Sequence, residues 1–99
     1  MASLADMSVA ETIRKKLARA LEPERLDVSD ESHLHEGHAG AREGGESHFR
    51  LMIVSSAFEG LNRVARQRLV NDVLREELSG PVHALAMRTL TPQEAANAQ

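Results

Sequence analysis

The hydrophobic period switches repeatedly along this 99-residue chain, and that succession limits the fold more than any single motif does. Val9, Ile13, Leu17 and Leu21 recur every four residues, with Lys15, Lys16 and Arg19 off that line, which predicts an amphipathic helix. Ser8 and Glu11 have the spacing of a capping box at its start, and Pro23 ends it. Leu26 and Val28 then alternate with Asp27 and Ser29, a short strand. Phe49, Leu51 and Ile53 alternate with His48, Arg50 and Met52, a second strand. Residues 57–60 read as a turn or a single helical turn. Leu61, Val64, Ala65, Leu69, Val73, Leu74 and Leu78 predict the longest helix, stopped by Ser79-Gly80-Pro81 with Gly80 in the left-handed position. Residues 82–90 predict a third strand. Thr91 and Pro92 then open a last short helix as cap and first residue.

The resulting order is α-β-β-α-β-α, an α+β domain with a three-stranded mixed sheet and helices on one face. Residues 1–7 read as a flexible extension, 8–92 as one domain and 93–99 as a short tail. The first two strands are joined by a loop and are expected to pair antiparallel. The second and third are joined through a helix, which suits a parallel pair. This connectivity brings the end of the first strand and the starts of the other two to one end of the sheet. His33, His35 and His38 in the SHLHEGHAG loop, His48 and His83 are all expected there.

Composition excludes several functions. The chain has no cysteine, so it can form no disulfide, thiolate nucleophile or cysteine metal site of its own. Phe49 and Phe58 are its only phenylalanines, and it has no Tyr or Trp, which argues against a platform for stacking bases. The formal charge of −3 does not favour nucleic acid, although a local basic patch could. No apolar run approaches the ~20 residues needed to span a bilayer, and the first residues lack the basic segment and apolar core of a secretion signal. Cytoplasm is the expected compartment. No nucleophile elbow, P-loop or HExxH occurs, so no enzyme is expected.

The loop over residues 32–45 is long and glycine-rich, as functional loops often are. Imidazole suits Zn, Cu, Fe and Ni, and His38 with His83 forms a candidate metal site. His33 and His35 read as solvated loop residues, and a lone zinc site on the loop histidines as adventitious. His48, beside Phe49, reads as a structural hydrogen bonder. Asp30, Glu31 and Glu36 read either as acceptors that orient the imidazoles or as loop solvation.

Taken in order, Asp30-Glu31-Ser32, Glu46-Ser47-His48-Phe49, Val54-Ser55, Phe58-Glu59-Gly60, Arg66-Gln67-Arg68, Glu76-Glu77-Leu78 and Val82-His83-Ala84-Leu85-Ala86 resemble the BolA family over about residues 8–92. The resemblance implies a fold like the class II KH domain. It implies a chain that is monomeric alone, without a cofactor, and that forms a heterodimer with a monothiol glutaredoxin bearing a CGFS active site. The pair would share a bridging 2Fe–2S cluster, with the glutaredoxin cysteine and a glutathione thiol on one iron. His83, the histidine of the VHAL segment, would be a ligand to the other. A histidine of the loop would be the second; His38 fits best, with His35 or His33 as substitutes because the loop is slightly longer than usual. Gln67 departs from the family, which often has histidine there within an R-H-R triplet.

Chemically, this chain cannot hold such a cluster alone, because clusters need mostly thiolate ligands. Two imidazoles on one iron are known from Rieske centres, where they raise the potential. The alternative is a DNA-binding regulator, using Arg63, Arg66, Arg68 and Arg75 on the long helix. A KH domain clamps RNA with a G-x-x-G loop between helices. Here Gly37-His38-Ala39-Gly40 falls between strands, and the stretch beginning at Gly60 lacks the second glycine. KH-type RNA binding is therefore not expected, whereas weak, salt-sensitive DNA contact stays open.

Overall fold

The computed structural model describes residues 8–31 and 48–98. The extension over residues 1–7 and the loop with His33, His35 and His38 lie outside the described residues. Helix α1 (Val9–Leu21) starts where the Ser8 hydroxyl accepts from the Glu11 amide at 3.1 Å. The reciprocal carboxylate bond of a full capping box is not formed among the described residues. The four-residue spacing does what it predicts: Ile13, Leu17 and Leu21 are buried, and Val9 packs beside them. Glu22 closes the helix in a left-handed conformation, its N–H donating to Ala18 O at 3.1 Å, and Pro23 follows.

Strands β1 (Arg25–Asp30), β2 (His48–Val54) and β3 (Ala84–Leu90) form one sheet in that order. β1 pairs with β2 antiparallel and β3 pairs with β2 parallel, as the connections require. Alternation sends Leu26 and Val28, Phe49, Leu51 and Ile53, and Leu85 and Met87 toward the helices. There they meet α1, together with Val70 and Leu74 from the second helical segment. A 3-10 turn (Ser56–Phe58) follows β2 and buries Phe58. Ser55 is fully buried; its hydroxyl donates to Leu21 O at 2.6 Å and accepts from Ala57 N at 3.0 Å. This one side chain ties the end of α1 to the end of β2.

Three expectations need correction. The long helix is two: α2 (Arg63–Val73) and α3 (Arg75–Ser79), divided at Leu74, whose φ/ψ of −102/22 leaves the helical range. Leu74 N reaches Val70 O at 3.0 Å and Leu78 N reaches Leu74 O at 2.9 Å, one bond on each side of the break. The longest helix among the described residues is therefore α1. Gly80 is not left-handed: its φ is −119, and a Cβ there would meet Glu76 O at 3.3 Å. Among the described residues the left-handed glycine is Gly60, at φ 80, after the 3-10 turn. The third strand begins at Ala84, two residues later than its apolar pattern, because the Val82 amide is committed to Glu77 O at 2.9 Å. At the far end of β3, α4 (Pro92–Asn97) has the full capping box of Thr91 and Glu94, with Pro92 in its first turn.

Candidate functional site

The register places three strand termini side by side. Asp30 pairs with Phe49 at the end of β1, His48 opens β2, and His48 pairs with Ala84 at the start of β3. The Glu31 N–H donates to His48 O at 2.8 Å, holding the outgoing chain against the incoming one. His83 immediately precedes Ala84. The two imidazoles, from positions 35 residues apart in sequence (83 minus 48), have ring centroids 6.3 Å apart and planes inclined by 32°. The expectation that topology gathers the histidines thus holds for both described members.

His83 is exposed and His48 half-buried. The position of His83 is built from behind. Val82 is buried in the core, and Glu77 O accepts from both Gly80 N and Val82 N, at 3.2 and 2.9 Å. The Glu77 side chain is itself buried and takes a Lys16 ammonium from α1 at 2.9 Å, while the exposed Glu76 takes the same ammonium at 3.4 Å. The Glu77 bond is the main reason that the Lys16 ammonium is held above the ordinary lysine range. The His83 backbone is therefore attached to two helices, although its ring faces solvent. Sequence reasoning missed this support, because nothing in the pattern distinguishes Glu77 from a solvated helix residue.

Arg50 Nε donates to both oxygens of Glu31, at 3.1 and 3.2 Å, so Glu31 serves as an arginine partner. Among the described residues no three His, Asp or Glu side chains converge as a metal site would require. His48 and His83 fit a partial donor set. They place two imidazoles at one end of the sheet, with every thiolate needing to come from elsewhere.

The arginines separate into two kinds. Arg66 is only 12% exposed in its side chain. It donates to Leu61 O at 2.8 Å, Thr89 O at 3.1 Å and both carboxylate oxygens of Glu94, at 2.6 and 3.2 Å. Its guanidinium also lies 5.9 Å from the centre of the Phe58 ring. Arg66 therefore clasps α2, β3 and α4 together, and it is not presented to a partner. Its hydrogen bond, followed by the Thr91 amide, lowers Glu94 to about 2. Arg75 pairs with Asp72 at 3.1 Å and stays largely exposed. Arg63 and Arg68 are exposed and form no ion pair among the described residues. Gln67, half-buried, borders a hollow with Arg63 and Arg88.

Comparison with known proteins agrees with this architecture. The family model described as BolA-like protein matches residues 17–94. A mouse protein named BolA-like protein 1 is 50% identical over 86 residues, which cover 87% of this chain and 60% of that one. A Vibrio cholerae protein named DNA-binding transcriptional regulator BolA is 45% identical over 86 residues, covering 87% of this chain and 77% of that one. Among solved structures, the BolA domain of SufE1 from Arabidopsis thaliana superposes with a TM-score of 0.80 at 44% identity, covering 89% of this chain and 96% of that one. This chain thus spans less than two thirds of the mouse relative, and what the whole mouse protein does is not carried over with the domain. Sequence, strand order and structural likeness lead to one assignment: the chain belongs to the BolA-like protein family.

Proposed function

We propose that this chain is a non-enzymatic cytoplasmic adaptor that binds a monothiol glutaredoxin and contributes histidine ligands to a bridging 2Fe–2S cluster. The observation that carries the reading is the exposed His83 beside His48, at the end of the sheet where the histidine loop leaves and returns, in a chain without a thiolate. His83 is the first ligand. His38 is the second, with His35 and His33 as substitutes. When bound, the cluster supplies a one-electron centre whose remaining ligands are the glutaredoxin cysteine and the glutathione thiol. To ligate, the imidazoles must be unprotonated, and the backbone before His83 is held in place through Val82, Glu77 and Lys16.

The test is anaerobic mixing with a CGFS glutaredoxin and glutathione, read by visible absorption and circular dichroism. His83→Ala and His38→Ala should each change the cluster spectrum. His48→Ala shows whether the neighbouring ring is also a ligand. Unchanged spectra for His83→Ala and His38→Ala would remove the ligand assignment. Because a ligating imidazole must be neutral, the mixed cluster should be lost as pH falls through the histidine range, sooner than a cluster held by thiolates alone. Equal acid stability of the two would count against imidazole ligation.

A second reading, DNA binding, draws on the name of the Vibrio cholerae relative and on the exposed Arg63, Arg68 and Arg75. With Arg66 committed to the fold, three of the four arginines of α2 and α3 remain exposed for phosphate contact. The reading requires a log-affinity that falls with log salt, and a slope near zero rejects it.

A further inference from the structure

The edge of the sheet at β3 has an open side. Among the described residues β3 is the last strand of the sheet and pairs only with β2. Leu90 O accepts from Ser55 N at 2.9 Å, which points the peptide groups of Leu90, Arg88 and Ala86 toward β2. By alternation, the N–H and C=O groups of Leu85, Met87 and Thr89 point the other way. Thr89 O is already taken by the Arg66 guanidinium at 3.1 Å. Among the described residues, nothing accepts from or donates to that side of Leu85 and Met87. A hollow separates this edge from α2, lined there by Arg63, Gln67 and Asn71, with Ala86, Met87 and Arg88 on the strand.

An exposed row of unpaired peptide groups is a template for strand addition. Its chemistry selects the occupant. Arg63 and Arg88 are exposed and have no carboxylate partner among the described residues. The only acid lining the hollow, Asp27, is held by Arg25 at 2.9 Å. Two copies of this chain set edge to edge would bring these arginines against each other, so self-pairing is opposed. A nucleic-acid strand would find no phenylalanine to stack on, because Phe49 and Phe58 are both buried. An extended peptide with carboxylates on alternate side chains meets both requirements. It offers backbone groups to Leu85 and Met87, and acids to Arg63 and Arg88. Gln67 and Asn71 add neutral donors and acceptors along the same wall.

We propose that the free edge of β3, from Leu85 to Met87, is a docking site for an acidic extended segment of a partner protein, which adds to the sheet as a fourth strand. The bond from Arg66 to Thr89 O closes one end of this site and so sets where the added strand must stop.

The test uses the whole chain and a capped peptide alternating Glu and Val, at low salt. Amide hydrogen exchange and NMR shifts should show binding with new protection at Leu85 and Met87. The same peptide N-methylated along one edge keeps every charge but cannot pair, and it should bind at least about tenfold more weakly, or roughly 1.4 kcal/mol. The Arg63→Glu, Arg88→Glu double variant should lose binding similarly, and a Lys-Val peptide should not bind the parent protein. The N-methylated comparison leaves the protein unaltered, so it stands even if the double variant folds poorly. Equal affinity of the N-methylated peptide, absence of binding by the Glu-Val peptide, or protection outside β3 would overturn the proposal. Protection of the same amides by oligo-dT at lower concentration than by the peptide would overturn it in favour of nucleic acid.

Discussion

Replacing Arg66 with alanine separates a structural arginine from a nucleic-acid contact. The side chain is 12% exposed and donates to two backbone carbonyls, Leu61 O and Thr89 O. Bonds of this kind, from a charged donor, contribute about 1.5 kcal/mol each at the low end. The contact with the Phe58 face adds about 0.5 kcal/mol. The pair with Glu94 adds little, since that carboxylate is nearly half exposed. Arg66→Ala should therefore destabilise the domain by about 3.5 kcal/mol, which for a domain of this size lowers Tm by roughly 14 °C or more. Arg66→Lys should recover only part of this, because an ammonium cannot span Leu61, Thr89 and Glu94 at once. Arg68→Ala, an exposed change, should stay within about 0.5 kcal/mol. Thermal unfolding followed by circular dichroism measures all three. If Arg66→Ala left Tm unchanged and instead weakened DNA binding, the clasp would be refuted and Arg66 would return to the partner surface.

Glu94 is lowered from 4.5 to about 2 in the folded chain, so its contribution is complete above the ordinary carboxylate range and lost as pH falls from about 4.5 toward 2. Glu94→Gln should flatten that part of the stability-against-pH curve, and denaturant unfolding at several pH values will show it. Lys16 is shifted the other way, chiefly by Glu77. Its contribution is therefore complete below the ordinary lysine value of 10.5 and lost as pH rises through the raised one, and Glu77→Gln should reduce that alkaline dependence in the same experiment, with Glu76 left as the smaller contributor. Gly60→Ala should cost about 1 kcal/mol in urea unfolding from backbone conformation alone, because φ is 80 and a Cβ there meets nothing within 4 Å. Retained stability would mean that this turn relaxes away from the left-handed region.

The sheet was legible because its determinants are local. Alternation at Phe49, Leu51 and Ile53 and the four-residue line from Val9 to Leu21 need only one buried face each, and both faces are buried as written. The parallel pairing of β2 and β3 followed from the helical connection between them. What escaped the sequence depends on where one group meets another. Gly80 beside Pro81 has every mark of a left-handed stop, yet two amides converging on Glu77 O set a different path through that turn. Arg66, Arg63 and Arg68 look alike in sequence. Only the third dimension shows that Arg66 lies against Thr89 and Glu94 while the other two face outward.

These observations divide the surface by function. An antiparallel β1–β2 pair joined to a parallel β2–β3 pair must bring one strand's exit and two strands' entries to the same end, whatever side chains are present there. That end carries the two described imidazoles and is anchored through Val82, Glu77 and Lys16. The opposite end of β3 is sealed by Arg66, Glu94 and the cap of α4. Between them lies the outer edge of β3, open among the described residues, with the exposed Arg88 on the strand and Arg63 on α2 beside it. A partner that pairs along this stretch would run from the sealed end toward the histidines. If both proposals hold, a peptide bound at Leu85 and Met87 should alter the ring signals of His83, two residues from Leu85, more than it alters the indicator resonances of Glu94. A response at Glu94 alone would separate the two surfaces.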